Sequence, residues 1–199
     1  MTEISEILSP IITQVLKRQK DAGDMWAGSK YAMFKKLEID KRGEVGEMLV
    51  EKMLADLDIT VKRNRETDRT KKHWDIKDLD HNLGFEIKLA TQGTNKKGKG
   101  TYQYEGFEKD RDYAGAILIA VAPNNIYITC AAKGNIPFAE RDNYYTKRKK
   151  KLHRRGHGTQ YKWTFSASDV ADREIITIQD FSAHYYKMIE DINPAILRQ

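Results

Sequence analysis

Apolar residues recur at helical spacing in some segments of this chain and at strand spacing in others. The clearest helix is predicted over 43–57, GEVGEMLVEKMLADL, where Val45, Met48, Leu49, Met53 and Leu57, with the stem of Lys52, form an apolar stripe. Glu44, Glu47 and Glu51 lie on another stripe of that helix at i, i+3 and i+7. Residues 3–20 show the same periodicity through Ile4, Ile7, Leu8, Ile11, Ile12, Val15 and Leu16, interrupted at Pro10. A further helical candidate spans 24–37, around Trp26, Tyr31 and Phe34, and a closing helix spans 180–193.

Strand patterns fill the middle. Short strands are predicted at 59–62, 73–79 and 84–89, the last two joined as a hairpin by the turn-rich DHNLG. Ala114 to Ala122 is a continuous apolar run, as expected of a buried central strand, and 126–131 pairs with it across Pro-Asn-Asn. Residues 90–104 read as a Gly- and Lys-rich loop ending in a polar-aromatic run, and 135–159 as basic and irregular. A strand at 161–165 and a helix start at 166–169 follow. This order predicts an α/β fold with a mixed central β-sheet flanked by helices. One domain, 1–199, is expected: an N-terminal helical segment (1–40), a core (43–131), a basic region (135–165) and a C-terminal helical segment (166–199).

Composition narrows the class. Apolar residues make up 40% and charged residues 32%, with a mean hydropathy of -0.70. The longest apolar stretch falls far short of the roughly 20 residues a membrane helix needs. The acidic start of the chain is unlike a secretory signal, so a cytoplasmic location is expected. A single cysteine, Cys130, excludes an internal disulfide and any cysteine-rich zinc site. Among the five histidines no HxH pair occurs, and the single HxxxH spacing, His153 and His157, falls in a basic Arg-Arg-Gly run of loop character, which disfavours zinc chemistry.

The net charge of +6 and pI near 9.2 suit a polyanionic partner, and distribution says more than the total. Basic residues run together at 147–155, KRKKKLHRR, and at 95–99, NKKGK, whereas acids concentrate in the first half. Lys147, Arg148, Lys149, Lys150, Lys151, Arg154 and Arg155, interleaved with Tyr144, Tyr145, Tyr161 and Trp163, are candidate contacts to a nucleic-acid backbone. Lys96, Lys97 and Lys99 are candidates beside the core. The plainer reading of either run is a solvated surface.

One constellation carries chemistry: Asp75, ten residues, then Glu86-Ile87-Lys88. Strand alternation puts Glu86 and Lys88 on one face and Ile87 on the other. A hairpin brings the Asp75 and Glu86 carboxylates together, which is unfavourable unless a cation or proton lies between them. A hard ion such as Mg²⁺ takes such oxygen ligands, and Lys88 beside it can orient the attacking water or neutralise phosphate charge. Asp75 is preferred to Asp78 and Asp80, which fall in or near the turn with less to hold them rigid. The plainer alternative is a surface hairpin with ordinary cross-strand ion pairs. Phe85, Ile87 and Leu89, which frame Glu86 and Lys88, are more apolar than that alternative needs.

The helix carrying GEVGE, then Asp75, then FEIKLA, then GAILIAVA, together resemble the PD-(D/E)xK nuclease superfamily, which includes many type II restriction endonucleases. Trp74 stands where the motif's proline would be. The resemblance covers roughly 43–131 and implies a restriction-endonuclease-like core that hydrolyses double-stranded DNA with Mg²⁺, Mn²⁺ substituting. It implies a metal site of Asp75, Glu86 and the Ile87 carbonyl, with Glu47 added from the helix and Glu44 in reserve. GTYQYEG followed by KDRDYAGAILIAVAPNNIYI is similar to the stretch in restriction enzymes where a polar-aromatic run leads through a short helix into the next strand, which makes Gln103 a candidate DNA contact. A homodimer is expected, because cutting both strands calls for two sites. A structure-selective or repair nuclease, or an inactive DNA-binding module, are the other readings of the same features.

Overall fold

The continuous apolar run forms the most deeply buried strand, Gly115–Val121, with every residue buried. Around it the computed structural model describes residues 24–64, 74–95, 98–136, 138, 151–154, 160–169, 176–177 and 181–196. The strands in chain order are β1 (Val61–Arg63), β2 (Ile76–Asp78), β3 (Leu83–Thr91), β4 (Gly93–Thr94), β5 (Gly100–Glu108), β6 (Gly115–Val121), β7 (Ile126–Ala132), β8 (Lys151–Arg154), β9 (Gln160–Ser166) and β10 (Ile176–Thr177). The two longer helices are α1 (Ile39–Ala55) and α2 (Phe181–Ile192).

The protein is α/β with a mixed sheet, and it carries a second sheet that the sequence pattern did not predict. The first has the order β1-β2-β3-β6-β7-β10 and the second β4-β5-β9-β8. In the first, β3 and β6 run parallel from Phe85–Gly115 to Thr91–Val121, and the other pairs are antiparallel. A parallel pair needs a crossover. Here β4 and β5 supply it, so the polar-aromatic run is a strand and not the end of a loop. No helix lies between it and β6. Within β5, Tyr102, Tyr104 and Phe107 are buried, while Gln103 and Glu105 are exposed. Gly106, at φ +78, sits in the register shift between Tyr104 and Phe107.

Alternation along β6 divides the core. Ile117, Ile119 and Val121 face α1 and α2, joining Val50, Leu54, Tyr185 and Ile189. Ala116, Leu118 and Ala120 face the second sheet, joining Tyr102, Tyr104, Phe107, Trp163 and Phe165. The layers are therefore helices, mixed sheet and antiparallel sheet. Among the described residues no helix is long and apolar enough to cross a membrane.

Helix α1 begins four residues before the predicted start, and its buried face is rotated from the expected stripe. Gly46, Val50, Met53 and Leu54 are buried, whereas Met48 is 53% exposed. Gly46 sets that rotation: a Cβ there would lie 3.3 Å from Leu89 Cβ, so the helix packs on β3 at its barest point. Residues 24–37 form a turn and a short 3₁₀ helix, Ala32–Lys36, instead of an α-helix. Tertiary contacts account for this. Trp26 is buried with its indole N–H donating to the Gln92 carbonyl at 3.2 Å, and the Tyr31 N–H donates to the Pro123 carbonyl at 2.9 Å. The predicted helix at 3–20 lies outside the described residues, as does most of 135–159, within which 151–154 is strand β8.

Candidate active site

The site lies where β2 parts from β3. The two strands pair only from Ile76–Phe85 to Asp78–Leu83, and the Asp75 N–H adds one bond to the Phe85 carbonyl at 2.9 Å. Beyond Phe85 no strand among the described residues pairs with this edge of β3, and a cleft of about 580 Å³ runs along Ile87–Thr91. The wall on one side is the start of α1 with the 3₁₀ helix, and on the other β4 and β5.

Three chain elements deliver side chains to one end of this cleft. Asp75 is anchored at the edge, its Oδ2 accepting from the Ile87 N–H at 2.7 Å. The N–H and C=O of a strand residue point to the same edge, so the Ile87 carbonyl faces the cleft beside Asp75. Glu47 enters from α1, one side of the sheet, and Lys88 from β3 on the other. Burial, then the nearby Asp75 charge, pushes the Glu47 carboxyl up to about 7. Glu44 is exposed and pairs with Lys41 at 2.9 Å, which holds its carboxyl below the usual range. Of the two helix glutamates, Glu47 is the one beside Asp75.

Glu86 is at the same end but is fully buried and does not line the cleft. Its Oε1 accepts from Lys88 Nζ, and Arg111 Nη1 lies 3.2 and 3.4 Å from its two oxygens. Burial raises the Glu86 carboxyl, and the two cations oppose that shift. Arg111 also pairs through Nε with Glu108 at 3.3 Å, and Lys133 Nζ donates to its backbone carbonyl. Sequence reasoning missed Arg111. KDRDYAG reads as a charged turn, and only the β3–β6 register, Phe85 opposite Gly115, brings that turn beside Glu86.

Asp78 and Asp80 are held more firmly than their turn positions predicted. Asp78 is fully buried, and its carboxylate accepts from the N–H groups of Asp80 and His81, both at 2.9 Å, from His81 Nδ1 at 2.6 Å, and from the Tyr185 hydroxyl. Asp80 caps the Thr60 N–H at 2.9 Å. Both are occupied away from the cleft, which is a better reason to set them aside than flexibility.

Gln103 lines the cleft and accepts from Lys162 at 2.8 Å. Lys99 is exposed in a turn where its N–H bonds Asn95 Oδ1 at 3.1 Å. Backbone register sets Lys151 opposite Thr164 and Arg154 opposite Tyr161 in the second sheet. Lys96, Lys97, Lys147, Arg148, Lys149, Lys150 and Arg155 lie outside the described residues.

Glu47, Asp75 and the Ile87 carbonyl offer hard oxygen donors on a shared cleft wall, with repulsion between the carboxylates that a cation would relieve. With Glu86 drawn toward Lys88 and Arg111, no three acidic, histidine or cysteine side chains form a ready metal cage among the described residues. No protein-family model and no curated protein matches this chain.

Proposed function

We propose that the protein is a Mg²⁺-dependent endonuclease of the PD-(D/E)xK type, hydrolysing phosphodiester bonds of double-stranded DNA on a restriction-endonuclease-like core. The observation that carries this reading is the meeting of Glu47, Asp75, Ile87 and Lys88 at one end of one cleft, with Glu86 directly behind Lys88. A surface hairpin with cross-strand ion pairs, the plainer alternative, would leave Glu86 exposed. Instead it is buried.

Asp75, Glu47 and the Ile87 carbonyl would hold the ion, with Glu86 joining when Lys88 releases it. Bound there, Mg²⁺ or Mn²⁺ would supply Lewis acidity to the phosphate and acidify a water. With its carboxyl pushed up to about 7, Glu47 is partly protonated near neutral pH, and a cation bound there would displace that proton to solvent. Lys88, once off Glu86, extends its ammonium into the cleft to orient the water or take phosphate charge. Arg111 stays behind to balance the buried Glu86 carboxylate. Two copies related by a two-fold axis would cut both strands, as a type II restriction enzyme does.

Incubating the full chain with plasmid DNA and Mg²⁺ tests this. Discrete, sequence-defined fragments support restriction, and cutting confined to branched substrates would assign a structure-selective nuclease instead. Lys88→Ala should slow cleavage on the order of 10²–10³-fold, the scale of removing one group that stabilises the transition state. If the wild-type protein cuts nothing with Mg²⁺ or Mn²⁺, or Lys88→Ala cuts equally well, the assignment is wrong.

A further inference from the structure

The cleft is electrically two-ended. Its acidic end holds Glu47 and Asp75; the other holds Lys35, Arg42, Thr91 and Thr94. From Ile87 to Thr91 the strand advances about 13 Å at ~3.3 Å per residue. That distance exceeds what one phosphate spans. Duplex DNA carries a charge roughly every 3.4 Å of axis per strand, so the far end falls within about four nucleotides of a phosphate held at Asp75.

Arg42 is shaped for an anion there. Its Nε donates to the Leu37 carbonyl at 3.0 Å, its Nη2 to the Lys35 carbonyl at 3.3 Å, and its Nη1 reaches Thr91 Oγ1 at 3.5 Å. These bonds fix the guanidinium plane, and its remaining N–H donors have no partner among the described residues, so little freedom remains to be lost on binding. Lys35 is exposed on the same wall, its Nζ 5.4 Å from the Trp26 ring centroid. Neither cation has a carboxylate partner among the described residues, whereas Lys88, the third cation on the cleft, is paired. A plain structural role, with Arg42 stapling the 3₁₀ helix to β3 and Lys35 resting on Trp26, would explain each contact singly but not why two adjacent cations on one cleft wall both lack a carboxylate among the described residues.

We infer that Lys35 and Arg42, with the Thr91 hydroxyl, form a second subsite that grips a backbone phosphodiester of the nucleic-acid strand being cut, a few nucleotides from the scissile phosphate. This rests on the nuclease reading and adds the direction in which the strand lies: along β3, from Asp75 toward Thr91. The subsite is independent of base identity, so it contributes affinity and register and no sequence preference.

The test measures binding of a fluorescent 30-base-pair duplex in Ca²⁺, across a salt series, for wild type, Lys35→Ala, the double variant Lys35→Ala/Arg42→Lys and, as control, Lys62→Ala on the exposed side of β1. Lys35→Ala should weaken binding roughly 3–10-fold and lower the salt slope by about 0.9, and the double variant should lower it further, while Lys62→Ala changes neither. Thermal melting of Lys35→Ala should stay close to wild type, because the side chain is exposed and its contact with the Trp26 ring is worth at most about 1 kcal/mol. A Lys35→Ala protein with wild-type affinity and slope overturns the subsite, even if the enzyme still cuts DNA. Equal losses in Lys62→Ala also overturn it. A wild-type chain that neither binds nor cuts duplex DNA sinks both this subsite and the nuclease reading.

Discussion

The carboxylate of Asp75 and the backbone N–H of Ile87 are joined by a 2.7 Å hydrogen bond across the point where β2 stops pairing with β3. The side chain takes the place of the next strand residue. It satisfies an N–H that the departing strand leaves orphaned, and in return its own position at the open edge is fixed. The hairpin thus sets the carboxylate at the cleft without any help from a preceding proline.

Asp75→Asn should separate these two roles. The amide oxygen can still accept from Ile87, so denaturant unfolding should stay within about 1 kcal/mol of wild type. Loss of the charge should lower Mn²⁺ or Ca²⁺ affinity at least roughly tenfold by calorimetry, a 1.4 kcal/mol effect. Unchanged ion affinity in this variant would remove Asp75 from the proposed metal site.

Glu47 makes stability depend on pH with a definite sign. Its folded pKa, about 7, lies above the ordinary value of 4.5. Between these the native state holds more protons than the unfolded chain, so its stability falls as pH rises from about 4.5 to 7 and stays lower above. Glu47→Gln cannot ionise and escapes that loss. Relative to wild type it should gain on the order of 1–2 kcal/mol between pH 5 and pH 8, after allowance for water in the cleft. Urea melts at the two pH values measure this, and an equal gap at both would show that Glu47 titrates normally.

The parts of this molecule that were legible in the sequence are those whose signal is local. Ala114–Ala122, the 73–89 hairpin and the helix at 180–193 each declare themselves by continuity or periodicity, and Glu86 with Lys88 by strand alternation. The misplaced parts depend on partners far along the chain. The buried face of α1 is set by Gly46 meeting Leu89, and the 24–37 segment by Trp26 reaching Gln92. The glycines and lysines before strand β5 make it resemble a loop end, although its alternation of Tyr102, Gln103, Tyr104 and Glu105 is a strand signal. Arg111 and the saturated Asp78 follow only from register and tertiary packing.

Asp78 anchors the hairpin turn to α2 through the Tyr185 hydroxyl. Tyr185→Phe removes one donor to a fully buried carboxylate that keeps three others, so it should be destabilising by about 1–3 kcal/mol. Asp78→Ala leaves the Tyr185 hydroxyl and two backbone N–H groups without their acceptor and should be the more damaging by denaturant unfolding. If the two variants lose the same amount, the tyrosine bond alone carries the network.

Arg111 and Glu86 should prove energetically coupled. Arg111→Met strips a buried carboxylate of one of its two cations, and breaking such a pair penalises the partner left behind. Because Arg111 is 35% exposed, water replaces part of what is lost, and the expected destabilisation is about 1–3 kcal/mol. Glu86→Gln removes the charge that needs balancing, so in that background Arg111→Met should be much milder. The double-mutant cycle in urea should therefore give a coupling on the order of 1 kcal/mol or more. It should also show in the chemistry. With Arg111 gone, Lys88 becomes the sole cation on Glu86 and is held more tightly to it, so under the proposed nuclease function Arg111→Met should slow cleavage even where the protein remains folded. Additive effects in the cycle would mean that Arg111 acts through Glu108 and not through Glu86.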